Sequence, residues 1–552
     1  MRIRLVLAAL CLPAALAAQA TVTVPLQDPV YRDLDRLFDA GLVKTMLVGQ
    51  RPYTRREVAR IILDASTTPR GVELAGRQNT RHDEGRPPLT EANRRLIARL
   101  SREYATEIGM LRGDTTLSRR VQMNVLHADL LGTNSLKRAV PFDSAGTVYA
   151  DINPLLNDRA GRTYRVGTNA AYEAEFTYHP ARSLVFDFQP RMVTGANAGK
   201  TFAIGELEAL NGTALWKDLS FEIGRQQMVL GQGISGGLIG SASSRPLDMA
   251  RLSNDTPFYA PSFLRFLGPL RGTVYYADLG PNQTFPHSNI FTYKLSMNPF
   301  TPLFELGVIV QAEQGGRGAP YTAFRNRVID LIPILQYTLS HKSRDQISNK
   351  FAGLDWSLRV PELRGARVYV EGILDDADPR RWGSTFWQDA GYVGGLSLAD
   401  LGLEGALSGN FEYHHTGLRY YEHKPFRTGM AFNRVLIGDP LSKQGDGGYL
   451  QLRWDGGQRS TVEVDGAIER RYGNVLDTRS VGPQEDSFHF ITLVGNPPEW
   501  RHRATASWIV RGGTRWRSSL EAGYERVRDF AFVTGASRNN FLLNASVELL
   551  RW

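Results

Sequence analysis

The chain has 552 residues, a formal net charge of +9 and a single cysteine, Cys11. Because Cys11 lies within the first twenty residues, the sequence beyond them can use neither a disulfide nor a cysteine-ligated metal or thiolate nucleophile. No Pro/Ser-rich linker divides the part after residue 120, so one large unit is the simpler interpretation. No later stretch is long and apolar enough for a transmembrane helix, and a membrane crossing would have to use strands.

The first twenty residues have the pattern of a secretory signal peptide. Arg2 and Arg4 precede an apolar run from Leu5 to Leu16, and Ala17 and Ala20 each complete a small-x-small cleavage pattern. An exported protein rarely meets nucleic acid. The basic surplus therefore predicts contact with anionic outer-membrane lipid such as lipopolysaccharide, or with an acidic polysaccharide.

Residues 21–120 are predicted to form a small three-helix domain. Apolar residues recur at helical spacing from Val30 to Leu42 and from Asn93 to Met110. Thr54 followed by Glu57 has the spacing of a capping box and predicts the start of a helix between those two.

The segment Gly49–Ala59 resembles the turn and second helix of an S-layer homology module, which binds cell-wall polysaccharide, and peptidoglycan is therefore a possible partner. We favour an ordinary helix, because such modules usually come as three copies and the sequence has one. In that interpretation the core residues are Tyr53, Val58 and Ile62, and the solvated residues are Arg55, Arg56 and Arg60.

The rest of the chain, residues 121–552, predicts a transmembrane β-barrel. From Tyr172 to Tyr178 every second residue is apolar or aromatic and the others are polar or charged, which gives a strand two different faces. Segments with this rhythm recur seventeen times, and one more strand is expected within 231–271, at Gly237–Ser243 or Met249–Phe258. A soluble sandwich would share the alternation, but its repetition favours an outer-membrane barrel of about eighteen strands.

The predicted connections alternate between long and short along the chain. Bacterial barrels have short turns at the periplasmic end and long loops outside, so both termini and the helical domain are expected on the periplasmic side. The apolar stretch 328–340 would spoil the even strand number, and we interpret it as a short helix or hairpin in an outer loop.

Several segments together resemble the capsule assembly protein Wzi family. They are Gly224–Gln227, Gly231–Ile239, Ser244–Pro246, Arg251–Phe258, and, near the start, Tyr31–Leu37 and Gly49–Tyr53. The resemblance implies an outer-membrane barrel with an N-terminal helical bundle at the periplasmic end, which helps to retain capsular polysaccharide in a lectin-like and non-catalytic way. The sequence departs from the family in lacking a tryptophan-rich run after Arg225, which puts sugar contact at that spot in doubt.

Five residues of these segments are candidates for ligand binding, and all of them except Asn254 are predicted to line the lumen. Paired charges there can hold a plug or an acidic sugar, and the structural role is favoured because polar lumen residues mostly satisfy one another. The candidates are Arg225, Arg245, Arg251, Asn254 and Asp255. The glycine-rich run 231–240 lacks the Gly-Lys-Ser/Thr ending of a phosphate loop, and we interpret it as a tight, glycine-kinked passage of the barrel.

A second candidate site lies in the outer loops. Aromatic rings can bury the apolar faces of sugars, and arginines attract acidic groups. The residues are Arg380, Arg381, Trp382 and Trp387, with Tyr420 and Tyr421 in the next loop. For Trp387 and Trp382 the alternative is the interfacial aromatic girdle that such barrels carry.

No cofactor or metal is predicted, because His414 and His415 are adjacent in a strand and face opposite ways. No catalytic constellation is recognisable. The alternatives left open are a solute channel, a cell-wall tether through the N-terminal domain, and an outer-membrane hydrolase.

Overall fold

The computed structural model describes residues 19–66, 89–135, 138–141, 149–157, 159–197, 199–320, 323–330, 348–375, 386–421, 426–457, 459–473, 475–477, 489–491 and 497–550. The predicted signal peptide thus lies almost wholly outside the described residues.

Eighteen antiparallel strands form one closed barrel, which confirms the fold class predicted from the sequence. The first strand pairs with both the second and the last, which closes the ring. The strands are β1 (Gln122–Thr133), β2 (Gly167–Ala181), β3 (Leu184–Asn197), β4 (Lys200–Trp216), β5 (Leu219–Gln226), β6 (Leu247–Asn254), β7 (Pro269–Asp278), β8 (Asn289–Met297), β9 (Phe304–Gln314), β10 (Asn349–Val360), β11 (Ala366–Asp375), β12 (Ala390–Gly402), β13 (Leu407–Thr416), β14 (Gly445–Asp455), β15 (Ser460–Arg471), β16 (Glu499–Gly512), β17 (Trp516–Arg528) and β18 (Ser537–Leu550).

The two-residue alternation of the sequence sets the two faces of the wall. In β18, Phe541 and Leu543 are more than half exposed, whereas Asn540 before them and Asn544 after them are buried. The outer face is therefore apolar and the inner face polar, as expected of a barrel in a lipid bilayer. In β2, Tyr172 likewise faces outward.

The strand that the sequence left unplaced within 231–271 is β6. Its bounds overlap the second of the two predicted positions, and it pairs with β5 on one side and β7 on the other. Residues 237–243, the first position, do not belong to the wall.

The connections alternate between long and short as predicted, except that only two residues, 198–199, separate β3 from β4. At one end of the barrel the strands are joined by 182–183, 217–218, 255–268, 298–303, 361–365, 403–406, 456–459 and 513–515. We call this the short-turn end. Of the eight connections there, 255–268 is the one that is long. The first strand begins and the last strand ends there, while the opposite end, the long-loop end, carries most of the long connections.

The N-terminal region is helical, with α1 (Val30–Asp39), α2 (Arg55–Ser66), α3 (Glu91–Glu103) and α4 (Ala105–Leu111). Thr54 caps α2, since its Oγ1 accepts from the Glu57 amide at 3.1 Å. The third predicted helix is broken at Tyr104, where the backbone leaves the helical region at φ −108°. These helices share one apolar core, which includes Leu34, Phe38, Val58, Ile62, Leu96 and Leu100.

A fifth helix, α5 (Phe324–Asp330), lies in the connection after β9. It overlaps the start of the apolar stretch 328–340, and the remainder of that stretch lies outside the described residues. Among the described helices, none is both long and apolar enough to cross a bilayer.

Candidate functional site

The helical region is held against the inside of the short-turn end by buried charges. Asp39 at the end of α1 accepts from Arg367 Nε and from Ser397 Oγ, each at 2.6 Å. Arg36, one turn earlier, bonds Asp455 and the carbonyl oxygen of Gly405. Because these side chains are almost wholly buried, each pair fixes the helix to the wall of the barrel.

Asp33 joins two helices to the wall. Its carboxylate accepts from Arg99 of α3 at 2.9 Å and from Arg453 of β14. Burial alone would raise the pKa of Asp33, but Arg453 and Arg99 outweigh it and lower that pKa to about 2. The carboxylate is therefore charged throughout the physiological range.

The extended segment before α2 reaches further into the lumen. Gln50 pairs with Leu230 in a two-stranded ladder, and the amides of Val48 and Gly49 donate to the Glu305 carboxylate at 2.8 and 2.9 Å. The helical region and the chain that follows β5 are thus joined inside the barrel.

Residues 227–246, the first inner segment, fold into the lumen. The amide of Leu238 donates to Glu371 at 3.1 Å, and those of Ile234 and Ser235 donate to Glu412 at 2.6 and 2.7 Å. The prediction of a glycine-kinked passage of the wall is wrong: the glycines serve a close approach between this segment and the wall. A Cβ on Gly231 would lie 2.0 Å from Glu371 Oε2.

A second inner segment follows β13 and comprises residues 417–421 and 426–444. Tyr420 and Tyr421, predicted in an exposed loop, are buried, because their rings pack on Phe351 at centroid distances of 5.8 and 6.0 Å. Tyr421 donates to the carbonyl oxygen of Leu238 at 2.7 Å, which links the two inner segments. Together they fill the half of the lumen lined by β6–β12 with an apolar cluster.

The other half of the lumen contains a chamber of about 400 Å³. It lies between the chain before and within α1, residues 26–35, and the connection 154–164, which folds inward from the long-loop end. Its lining is densely charged with both signs and includes Arg32, Arg503, Arg517, Asp129, Glu463 and Glu548.

The chamber's charges are mostly paired with one another. Arg517 donates to Glu548 at 2.7 Å, and the His127 ring lies 3.2 Å from Glu548. Within the part of the chain that the structure describes, Asp129 Oδ1 and Asn544 Oδ1 are buried without a partner. A polar cavity of this size with such atoms has room and partners for water. Sequence reasoning missed this chamber, although the inward phase of its strands marks each of these residues as luminal.

Two of the predicted lumen residues are luminal and paired. Arg251 is buried and bonds Glu222, with a further contact to Met228 Sδ at 2.9 Å. Arg245 donates to Glu206 at 2.7 Å. These partners favour a structural role over sugar binding.

The prediction that Arg225 lines the lumen is wrong. It lies on the outward face of β5, in phase with the exposed Phe221 and Ile223, and forms a bidentate pair with Asp248 at 2.7 and 2.8 Å. Side-chain alternation gave the signal for this, because three residues two apart share one face.

Asn254 and Asp255 organise the short-turn end. Asn254 donates to the carbonyl oxygen of Thr256 at 2.6 Å and accepts from the Gly272 amide at 2.6 Å. Asp255 accepts from Thr54 Oγ1 at 2.5 Å and from Arg56 at 3.1 Å, and so ties the start of α2 to the barrel. Both are buried at the junction with the helical region.

The arginines predicted to form a solvated face on α2 have partners instead. Arg55 pairs with Glu107 at 2.7 Å, Arg60 pairs with Glu57 at 2.7 Å, and Arg56 pairs with Asp255. The predicted core residues, in contrast, are buried as expected: Tyr53, Val58 and Ile62.

Besides Tyr420 and Tyr421, the structure describes Trp387 of the predicted outer-loop site. Its ring is 66% exposed and stacks on His415 at a centroid distance of 4.5 Å. His415 faces outward and bonds Asp446, whereas His414 faces inward and bonds Asp439. This places Trp387 at the outer wall, as the girdle alternative has it. Arg380, Arg381 and Trp382 lie outside the described residues.

These features define a class: an outer-membrane β-barrel whose lumen is filled by its own chain. The capsule assembly protein Wzi family model matches residues 142–542, and the chain belongs to this family. No curated protein matches the sequence.

Among solved structures, the chain is similar to Escherichia coli Wzi, described as an outer-membrane protein involved in group 1 capsule assembly and a carbohydrate-binding β-barrel. The identity is 14%, the TM-score 0.63, and the match covers 96% of this chain and 99% of that one. It is also similar to Pseudomonas aeruginosa OccK7 (OpdD), at 8% identity and TM-score 0.40, covering 78% and 98% of the two chains. Acinetobacter baumannii OccAB2 matches at 10% identity and TM-score 0.41, covering 79% and 99%.

Proposed function

We propose that this outer-membrane protein helps to assemble or retain capsular or other surface polysaccharide, as a lectin-like protein without catalysis. The observation that carries the proposal is its membership of the capsule assembly family, which spans most of the barrel. The fold it shares with a barrel described as carbohydrate-binding supports it further.

In this proposal the long-loop end faces outward, and the short-turn end, the helical region and both termini face the periplasm. Bacterial barrels generally have their short turns on the periplasmic side. We propose that Arg380, Arg381 and Trp382, which follow β11 in the sequence, bind the polysaccharide together with Trp387.

The filled lumen argues against the channel alternative. The two inner segments occupy one half of it, and the helical region closes the short-turn end below the other half. A lumen filled in this way leaves less room for solutes than the water-filled lumen of a porin.

The other two alternatives have less support. A cell-wall tether would use Arg55 and Arg56, but both arginines are engaged by Glu107 and Asp255 within the protein. For a hydrolase, no observation among the described residues favours a reacting pair.

The test is binding of the purified protein to the surface polysaccharide of its own organism, measured by surface plasmon resonance. We expect saturable binding that falls at least tenfold in a variant carrying Arg380→Gln, Arg381→Gln and Trp382→Ala. Trp508→Ala, which removes an exposed aromatic side chain from the outer wall elsewhere, is the matched control and should bind normally. Absence of binding by the unaltered protein, combined with porin-like conductance in planar bilayers, would replace this function by the channel.

A further inference from the structure

A cluster of cationic and aromatic side chains lies on the outer face of the barrel, near the long-loop ends of β13–β17. We call it the rim patch. It consists of His415, Asp446, Arg470, Trp500, Arg526 and Arg528.

Register places these residues in one row around the wall. His415 is opposite Asp446, Asp446 opposite Arg470, Arg470 opposite Trp500, and Trp500 opposite Arg528. Directly opposite residues of antiparallel strands share a face, so the whole row shares the outward direction of His415. Arg526 lies two residues before Arg528 and shares its face.

The row stands at the upper edge of the apolar belt. Below it, Leu450, Ile468 and Leu520 are each about half exposed to the outside. Trp500 and Trp508 are eight residues apart on the same face of β16, which corresponds to roughly 20 Å of height for a strand tilted by about 40°. That is close to the apolar band of such barrels, so the rim patch lies at headgroup level.

The rim patch has an excess of positive charge. Asp446 is already shared by His415 at 2.9 Å, Tyr413 at 2.7 Å and Arg470 at 3.1 Å. Arg526 and Arg528 are exposed and form no ion pair with any described residue. Among the described residues of the patch, three arginines thus face one acid, and two of the three have no acidic partner there.

The patch is local to this side of the barrel. At the corresponding level of β5–β7, Arg225 is neutralised by a bidentate pair with Asp248, and Asp278 adds a further acid beside it. The excess of positive charge therefore belongs to one side of the outer wall. A girdle that is the same all around the barrel would not show this difference.

We infer that the rim patch binds the phosphorylated headgroup of an outer-leaflet glycolipid. Arg526 and Arg528 match phosphate oxygens with paired N–H donors, and the exposed ring of Trp387 and the partly exposed ring of Trp500 can lie against the sugar of the headgroup. The inference rests on the proposed orientation, because it requires the long-loop end to face the outer leaflet. It does not require the protein to bind polysaccharide.

The test is native mass spectrometry of the purified full chain with diphosphorylated lipid A, compared with chemically dephosphorylated lipid A. We expect the unaltered protein to retain the diphosphorylated lipid at least tenfold better than the dephosphorylated one. A variant carrying Arg470→Gln, Arg526→Gln and Arg528→Gln should lose that preference.

The matched control removes three exposed cations elsewhere, Lys200→Gln, Lys217→Gln and Arg265→Gln, and should keep it. Heat-modifiable migration on gels shows that each variant is folded. Equal retention of the two lipids by the unaltered protein, or an unchanged preference in the rim-patch variant, would overturn the inference. Polysaccharide binding by the rim-patch variant is measured separately, so the failure of one proposal is distinguishable from the failure of the other.

Discussion

Asp39 and Arg367 form a fully buried ion pair that joins the helical region to the wall of the barrel. Arg367 is fully buried, and Asp39 is its carboxylate partner at 2.6 Å. Asp39→Ala removes the partner and leaves a buried cation uncompensated, which costs about 3–5 kcal/mol. At about 1.4 kcal/mol per factor of ten, the undocked state should become more populated by roughly a hundredfold to a few thousandfold.

The assay is hydrogen exchange of the backbone amides of α1, followed by mass spectrometry. Asp39→Ala should raise the exchange of α1 by the factor given above, while the barrel strands keep their protection. The double variant Asp39→Leu with Arg367→Met replaces the pair by apolar side chains of similar size and should recover most of the loss.

The exposed pair Glu91–Arg95 on α3 supplies the control. Its atoms are 2.9 Å apart but both side chains are nearly half exposed. Glu91→Ala should therefore cost no more than about 0.5 kcal/mol. Unchanged exchange in Asp39→Ala, or a double variant as strongly affected as the single one, would refute the reasoning.

Three further predictions follow from other parts of the molecule. The pKa of Asp33 is lowered from its ordinary value of 3.8 to about 2, so the charged carboxylate contributes about 2 kcal/mol to the free energy of unfolding. This contribution is fully present above pH 4 and is lost as the pH falls through 2. Carbon-13 titration of the Asp33 carboxyl should give a midpoint near 2, and a midpoint near 4 would contradict the prediction. Gly231→Ala places a methyl group against the carboxylate of Glu371 and should lower the yield of folded barrel on gels. The control Gly394→Ala has open space around its Cβ and should fold normally. Equal yields of the two variants would contradict the prediction. Ile468→Arg puts a charge on the lipid-facing wall of the barrel. It should lower the free energy of unfolding in lipid vesicles by up to about 4 kcal/mol, depending on the depth of residue 468 in the bilayer. An unchanged midpoint of urea unfolding would argue against a lipid-facing position.

The wall of the barrel was predictable because its information is local. Alternation with a period of two residues can be seen within a single strand. The outward direction of Phe541 and Leu543 could therefore be recognised from the residues next to them in the sequence. The count of eighteen strands followed from adding an even-number rule to seventeen local patterns. The same alternation would also have placed Arg225 outside the lumen, had it been applied there.

The filling of the lumen was not predictable, since its contacts join distant parts of the chain. Gln50 pairs with Leu230, and the amide of Leu238 meets Glu371. A glycine-rich run indicates that the backbone comes close to another part of the protein, but it does not indicate which part. The chamber is harder still to foresee, because it is the space left after every other segment has been placed.

The most direct test of the proposed function compares polysaccharide retained by cells with polysaccharide released into the medium. Cells producing the unaltered protein should retain most of it, and a strain without the protein should release it while making the same total amount. Restoring the protein with Arg380→Gln, Arg381→Gln and Trp382→Ala should leave retention low, whereas Trp508→Ala should restore it. Equal retention with and without the protein would contradict the account.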